Sequence, residues 1–285
     1  MSKKNLKVLL KLLISIGLLY FVYQKIDFTD LKTTYKTSNL AYLLVGSLFF
    51  IASQLLSSLR LNYIFHQSHF PLSQKSNLQL YFIGMFYNFF IPGGIGGDAY
   101  KVYLLNKKFG WKLKTITQNV LVDRLIGLVA IFSIASTLLG FLFFEGFLFL
   151  MLGVMGAVLV YFISKIVLQL FIKEIHRVFL RSFIYSIGIQ ILQILCVYFI
   201  LLAIGITSNP MSYFLVFLIS SVLSVVSFSG FGAREFVFLQ AAIYLGTDSA
   251  MSTSVGLSFN IITALVSLLG VFFLIRKIDL QLLSE

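Results

Sequence analysis

The chain has 285 residues, of which 59% are hydrophobic and 11% charged, and its mean hydropathy is +0.97. A soluble domain carries roughly a quarter of its residues as charges, so this composition excludes a water-soluble globular protein and points to an all-α, polytopic integral membrane bundle. The formal charge of +12 falls in short clusters between apolar runs, which argues against a nucleic-acid partner and fits the positive-inside bias of cytoplasmic loops.

An apolar stretch from Leu12 to Tyr23, within a first span at about 8–24, follows Lys3, Lys4, Lys7 and Lys11. Tyr23-Gln24-Lys25 offers no cleavage pattern after it, so the run reads as a retained first span rather than a signal peptide. An amphipathic connector with Asp27, Asp30, Lys32 and Lys36 leads to a second span at about 40–65. Segment 77–106 is apolar but broken by Ile91-Pro92-Gly93-Gly94-Ile95-Gly96-Gly97-Asp98. Spans at about 115–143 and 146–164 flank Glu145-Gly146, and another covers about 182–205. Segment 211–246 is broken between Ser227 and Glu235, at Gly230 and Gly232, and a last span covers about 253–275. The chain is therefore expected to be one transmembrane domain without a soluble domain. Cys196 is its one cysteine and lies in an apolar run, so no internal disulfide can form.

Charge sets the expected topology. The clusters Lys3 to Lys11, Lys101 to Lys114, Lys165 to Arg181 and Arg276-Lys277 belong in the cytoplasm, which places both termini there in a cell (inner or plasma) membrane. Connectors 141–147, 205–212 and 246–252 hold no Lys or Arg and belong outside; the connector with Lys25, Lys32 and Lys36 runs against the rule. On this count 77–106 enters and leaves from the cytoplasm, and 211–246 does so from outside. Both read as re-entrant helical hairpins of opposite entry, the pattern of an inverted repeat. Glycines permit the reversals, and Pro92 removes a donor that a continuing helix would need.

A half-helix that restarts near Asp98 or Ala233 turns its positive end inward, where it suits an anion. Lys101, Arg124 and Arg234 are the candidate ligands of a lipid phosphate, with Asp98, Asp123 and Glu235 as supporting carboxylates. Each has a plainer reading: Asp98 as a helix cap, Lys101 as an interfacial cation, Asp123 and Arg124 as a structural pair with a neighbouring helix. Asn88, Asn119, Gln190, Gln193 and Asn260 are polar-cleft candidates or helix–helix hydrogen-bond partners. Gly93 to Gly97 lacks the strand–helix setting of a dinucleotide site, and His66 and His69 lack further metal ligands. No catalytic constellation, cofactor or metal is indicated.

The segment Asn88 to Asp98 with Lys101 after it, the run Val122-Asp123-Arg124, and Gly230 to Glu235 together resemble the transmembrane region of lysylphosphatidylglycerol synthases and related flippase-like proteins. The resemblance covers nearly the whole chain. It implies a fold with re-entrant helices and a role in moving or presenting an anionic phospholipid or a polyprenyl-phosphate-linked lipid. Full-length lysyltransferases of the family carry a large soluble domain that is absent before Glu285, so aminoacyl transfer does not carry over. Where relatives often have Pro-Gly-Gly, this chain has Phe228-Ser229-Gly230. Transport is thus the leading expectation and enzymatic activity the lesser one. The alternatives are a membrane-embedded transferase, or a subunit serving a separate lipid-modifying enzyme; a homodimer is compatible with a bundle of this size.

Overall fold

The computed structural model describes residues 20, 28–90, 96–143, 147–172, 175–224, 232–276 and 279–283. The expected first span (apart from Tyr20), Pro92, Gly93, Gly94, Gly230 and the turn at Glu145-Gly146 lie outside the described residues. Within them the regular elements are all helices: α1 (Phe28–Thr37), α2 (Leu40–Gln67), α3 (Gln74–Phe90), α4 (Gly96–Phe109), α5 (Leu113–Phe143), α6 (Phe147–Phe171), α7 (Ile175–Ile204), α8 (Pro210–Leu223), α9 (Ala233–Leu245), α10 (Ser249–Ser267) and α11 (Leu269–Ile275).

Among the described residues, five stretches are long and apolar enough to cross a bilayer: Leu40–Gln67, Leu113–Leu142, Leu150–Phe171, Ile175–Ile204 and Ser249–Ile275. They correspond to the five expected spans after the first, and the protein is a multi-pass membrane protein. Helices outlast the apolar runs, however. α6 continues through Lys165 to Phe171, and α7 starts at Ile175 rather than near 182. Long cationic side chains such as Lys165, Arg177 and Arg181 can lie along a helix and hold their charge at the interface, so charge does not end the helix.

The broken segments each contain two shorter helices, of 17 and 14 residues (α3 and α4) and of 14 and 13 residues (α8 and α9). At about 1.5 Å per residue none reaches the ~30 Å of a hydrocarbon core. α8 begins with Pro210 after left-handed Asn209, where a missing N–H costs nothing. α9 starts after Gly232, whose φ of +82° lies where a Cβ would be strained.

The helices are organised as two compact units. One comprises Met1–Ile51, Met85–Gly97 and Gln193–Leu269. Within it α9 packs on α8 and α10, and α10 packs on α1. Tyr35 of α1 reaches α10, donating to the Ser254 carbonyl at 3.2 Å and lying 3.0 Å from the Ser258 hydroxyl. Apolar contact alone gives helices little reason to associate in lipid, so close backbone approach and such bonds matter. Gly46 illustrates the approach: a Cβ there would stand 3.2 Å from the Cys196 carbonyl oxygen.

The other unit comprises Ala52–Gly84, Asp98–Leu192 and Gly270–Glu285. Its buried side chains form two clusters, one around Leu61, Phe65, Leu80 and Leu105, the other around Ile64, Ile126 and Phe179. α5 and α6 meet through small residues: a Cβ on Gly153 would lie 2.9 Å from the Ser136 carbonyl, while the Ser136 hydroxyl donates to the Gly153 carbonyl at 3.2 Å. The outer face of α6 exposes Met155, Leu159, Phe162 and Ile166, as a lipid-facing span should. The C-terminal segment is tied down by Leu283 N–H on the Pro71 carbonyl at 2.8 Å, and the Lys108 ammonium lies 2.6 Å from Asp279.

Candidate functional site

Three polar centres hold most of the residues singled out above. The first forms where α4 restarts. Asn88 serves the start of that helix, its side-chain oxygen accepting the Gly97 N–H at 2.9 Å. The Asp98 carboxylate, buried at 6% exposure, takes two cations instead. Lys101, one turn on, brings Nζ to 3.3 Å from Oδ1, and Arg124 of α5 donates Nε to Oδ2 at 2.5 Å. The Lys101 ammonium also stands 4.7 Å from the centre of the Tyr81 ring, so a π face helps to replace its lost hydration. Lys101 is buried, whereas 52% of the Arg124 side chain is exposed. Two cations on one carboxylate leave an excess positive charge, and its accessible part is the Arg124 guanidinium. Only Nε of that group is used; its terminal NH2 groups meet no protein acceptor among the described residues.

In the second centre Asp123 takes its plainer reading, a pair with a neighbouring helix, but the partner, Arg60, was not foreseen. Arg60 of α2 donates Nε to Asp123 Oδ1 at 2.7 Å and Nη2 to Oδ2 at 2.9 Å, a bidentate fork. Its Nη1 donates to the Ser186 hydroxyl at 2.7 Å. Room for the fork comes from Gly127, one turn after Asp123, where a Cβ would stand 3.3 Å from Arg60 Nη1. Both side chains are about nine-tenths buried and their charges cancel. The signal in the sequence was an arginine inside an apolar helix beside serines, Ser53, Ser57 and Ser58. Asp123 and Arg124 are adjacent but about 100° apart around α5, so they serve different centres.

The third centre lies in the other unit. Glu235 accepts the Gly232 N–H at 2.8 Å, closing the N-terminus of α9, and accepts the Asn260 amide of α10 at 2.8 Å. The Asn260 oxygen takes an N–H of Arg234, so one amide links cation and carboxylate. The Arg234 guanidinium is 4.6 Å from the centre of the Phe259 ring and 5.9 Å from that of Phe217. Gly256 leaves room for it, since a Cβ there would stand 3.2 Å from Arg234 Cγ. Arg234 is buried, meets no carboxylate within ion-pair distance among the described residues, and has an Nε without a partner among them. Among the described residues its charge is met by one amide and two rings only.

The remaining candidates are dispersed. Asn119 is buried on α5, taking the Ser68 hydroxyl on its oxygen at 3.0 Å and leaving its NH2 without a partner among the described residues. Gln190 is buried on α7 with its oxygen unpartnered among the same residues, and Gln193 is half-buried. Gly96 and Gly97 lie in the first turn of α4. His66 places Nε2 2.8 Å from the Leu72 carbonyl, a structural use of the ring.

The family model of the lysylphosphatidylglycerol synthase TM region matches residues 8–270, nearly the whole chain, and the protein belongs to that family. No curated protein matches the sequence.

Proposed function

We propose that this member of the lysylphosphatidylglycerol synthase TM-region family binds the phosphate of an anionic phospholipid, or of a polyprenyl-phosphate-linked lipid, and carries the headgroup across the membrane. The observation that supports it is the Asp98 centre. Two cations share one carboxylate there, and the terminal NH2 groups of the half-exposed Arg124 meet no acceptor among the described residues. A planar guanidinium with free donors suits phosphate oxygens, and the buried carboxylate holds it in place when no anion is bound. Arg234, buried in the other unit, is a second arginine and has no carboxylate within ion-pair distance among the described residues.

In this reading the two broken segments are re-entrant hairpins entering from opposite sides, with both termini cytoplasmic. Helices of 13 to 17 residues on both sides of each break support it, because such lengths fall short of a bilayer. Glu235 is committed to the α9 N-terminus, Asp123 to Arg60 and Asp98 to two cations, so none of the three is free to carry a proton and the transport is passive.

The test is scrambling of a fluorescent phosphatidylglycerol in proteoliposomes, read by dithionite bleaching of the outer leaflet. Wild-type protein should expose both leaflets to the reductant, and Arg124→Gln and Arg234→Gln should fall to the protein-free level. Folded variants that scramble at the wild-type rate would sink the reading.

A further inference from the structure

Residues 279–283 return to the start of α3 and bond to it through their backbone. Leu282 faces Leu72 in an isolated antiparallel bridge. Ser73 N–H donates to the Gln281 carbonyl at 3.0 Å, and Leu283 N–H donates to the Pro71 carbonyl at 2.8 Å. Gln281 N–H donates to the hydroxyl of Ser76, in the first turn of α3, at 2.7 Å. Leu280 turns inward, 3% exposed, and joins the buried cluster that holds Leu72, Leu80 of α3 and Leu105 of α4. Asp279, just before it, lies 2.6 Å from Lys108 in the last turn of α4. One short segment thus grips the first turn of α3 and the end of α4. In sequence these are the parts of the two helices farthest from the break between them.

What the grip holds follows from the periodicity of α4. Asp98, Lys101, Leu105 and Lys108 recur at intervals of three, four and three, so they share one face of that helix. The first half of the face belongs to the Asp98 centre, and the second half is where the segment lands. α3 repeats the pattern: Leu80 meets the cluster, and its neighbour Tyr81 covers the Lys101 ammonium at 4.7 Å from the ring centre. Of the two cations on Asp98, Arg124 is half exposed and Lys101 is only 5% exposed.

The grip is reversible by its make-up. Apart from Leu280 the segment is exposed, and its ion pair is screened by water. One buried leucine and three hydrogen bonds are set against the entropy of ordering the segment, terms of similar size.

We propose that residues 279–283 are a latch on the first broken segment. Docked, they keep α4 against α3 and Lys101 beneath the Tyr81 ring. Lifted, they let the two helices part, and Lys101 joins Arg124 in meeting an anion. The latch stands on its own geometry, whereas its control of access rests on the transport reading.

The test uses the full chain in lipid nanodiscs, with spin labels at Lys75→Cys and Lys107→Cys. Both positions are exposed, one in the first turn of α3 and one in the last turn of α4, and Cys196 is buried. Pulsed double electron–electron resonance between the labels should give one narrow distance while the latch is intact. Leu280→Asp sets a charge where the cluster buries the leucine, and Gln281→Pro removes the N–H that Ser76 accepts without touching the cluster. Each should lengthen or broaden the distance. Each should also speed scrambling of fluorescent phosphatidylglycerol about tenfold, as when a minor open state becomes the common one. An unchanged distance in both folded variants overturns the latch. A changed distance with scrambling at the wild-type rate overturns its control of access and leaves the transport reading intact. Absence of scrambling in every protein, wild type included, strikes the transport reading instead, and the distance alone then decides the latch.

Discussion

The Arg60–Asp123 pair and the Asp98–Lys101–Arg124 cluster lie in one unit, are built from the same kinds of side chain, and even draw on adjacent residues of α5. The first is closed: one cation meets one carboxylate through a two-pronged fork, Ser186 takes a remaining N–H, and both partners are buried. The second is open: two cations meet one carboxylate, and the outer one is half exposed. A closed pair has its charges cancelled and buried away from a ligand, and it serves the structure. An open cluster keeps charge and donors in reserve, and only that arrangement can bind an anion without first breaking a bond of its own.

Mutations can break this comparison, and the largest effect should fall on the closed pair. Arg60→Leu leaves the Asp123 carboxylate buried and alone, which should cost about 3–5 kcal/mol of stability, read as a lower midpoint in thermal unfolding in detergent. A loss below about 1 kcal/mol would mean that water reaches Asp123 and that the pair is not closed. The double replacement Arg60→Leu with Asp123→Leu should recover most of the loss, since an apolar pair of similar volume leaves no uncompensated charge. Recovery to within about 2 kcal/mol of wild type would separate a structural role from a functional one.

At the open cluster the order reverses. Arg124→Gln should change stability by less than about 1 kcal/mol, because the arginine is half exposed and Lys101 still neutralises Asp98. The same variant should lose anionic lipid retained through purification, measured by mass spectrometry of the co-purified lipids. Unchanged retention would make the cluster structural as well.

The smallest effect belongs to an ion pair outside the bilayer core. Asp279 is fully exposed, and its hydrogen bond to Lys108 holds its carboxyl below the usual range. A carboxyl whose folded value is depressed stabilises above its unfolded value, and that contribution is lost as pH falls through the folded one. Screening at the surface makes it negligible here, so Asp279→Asn should leave the unfolding midpoint unmoved between pH 3 and 7 at about 0.15 M salt.

The sequence by itself determined the solvent of this protein. So many apolar runs with so few charges leave only a helical membrane bundle, and five of the expected spans recur as helices because each must satisfy its own backbone in lipid. It also drew attention to Asp98, Asp123, Arg124, Arg234 and Glu235, since an ion within an apolar run is conspicuous wherever it folds, but it passed over Arg60. Partnership was decided by the tertiary structure. Asp98 was open to a capping role, yet Asn88 serves the helix start and Asp98 pairs with two cations. Arg60 marked only a span's end until Asp123, 63 positions away, claimed it, and Asn260 became the link between Arg234 and Glu235. Helical periodicity fixes where a side chain stands on its own helix, but the residue opposite depends on how two helices are rotated and spaced. That arrangement is set by small residues such as Gly127, which makes room for Arg60, and Gly256, which makes room for Arg234.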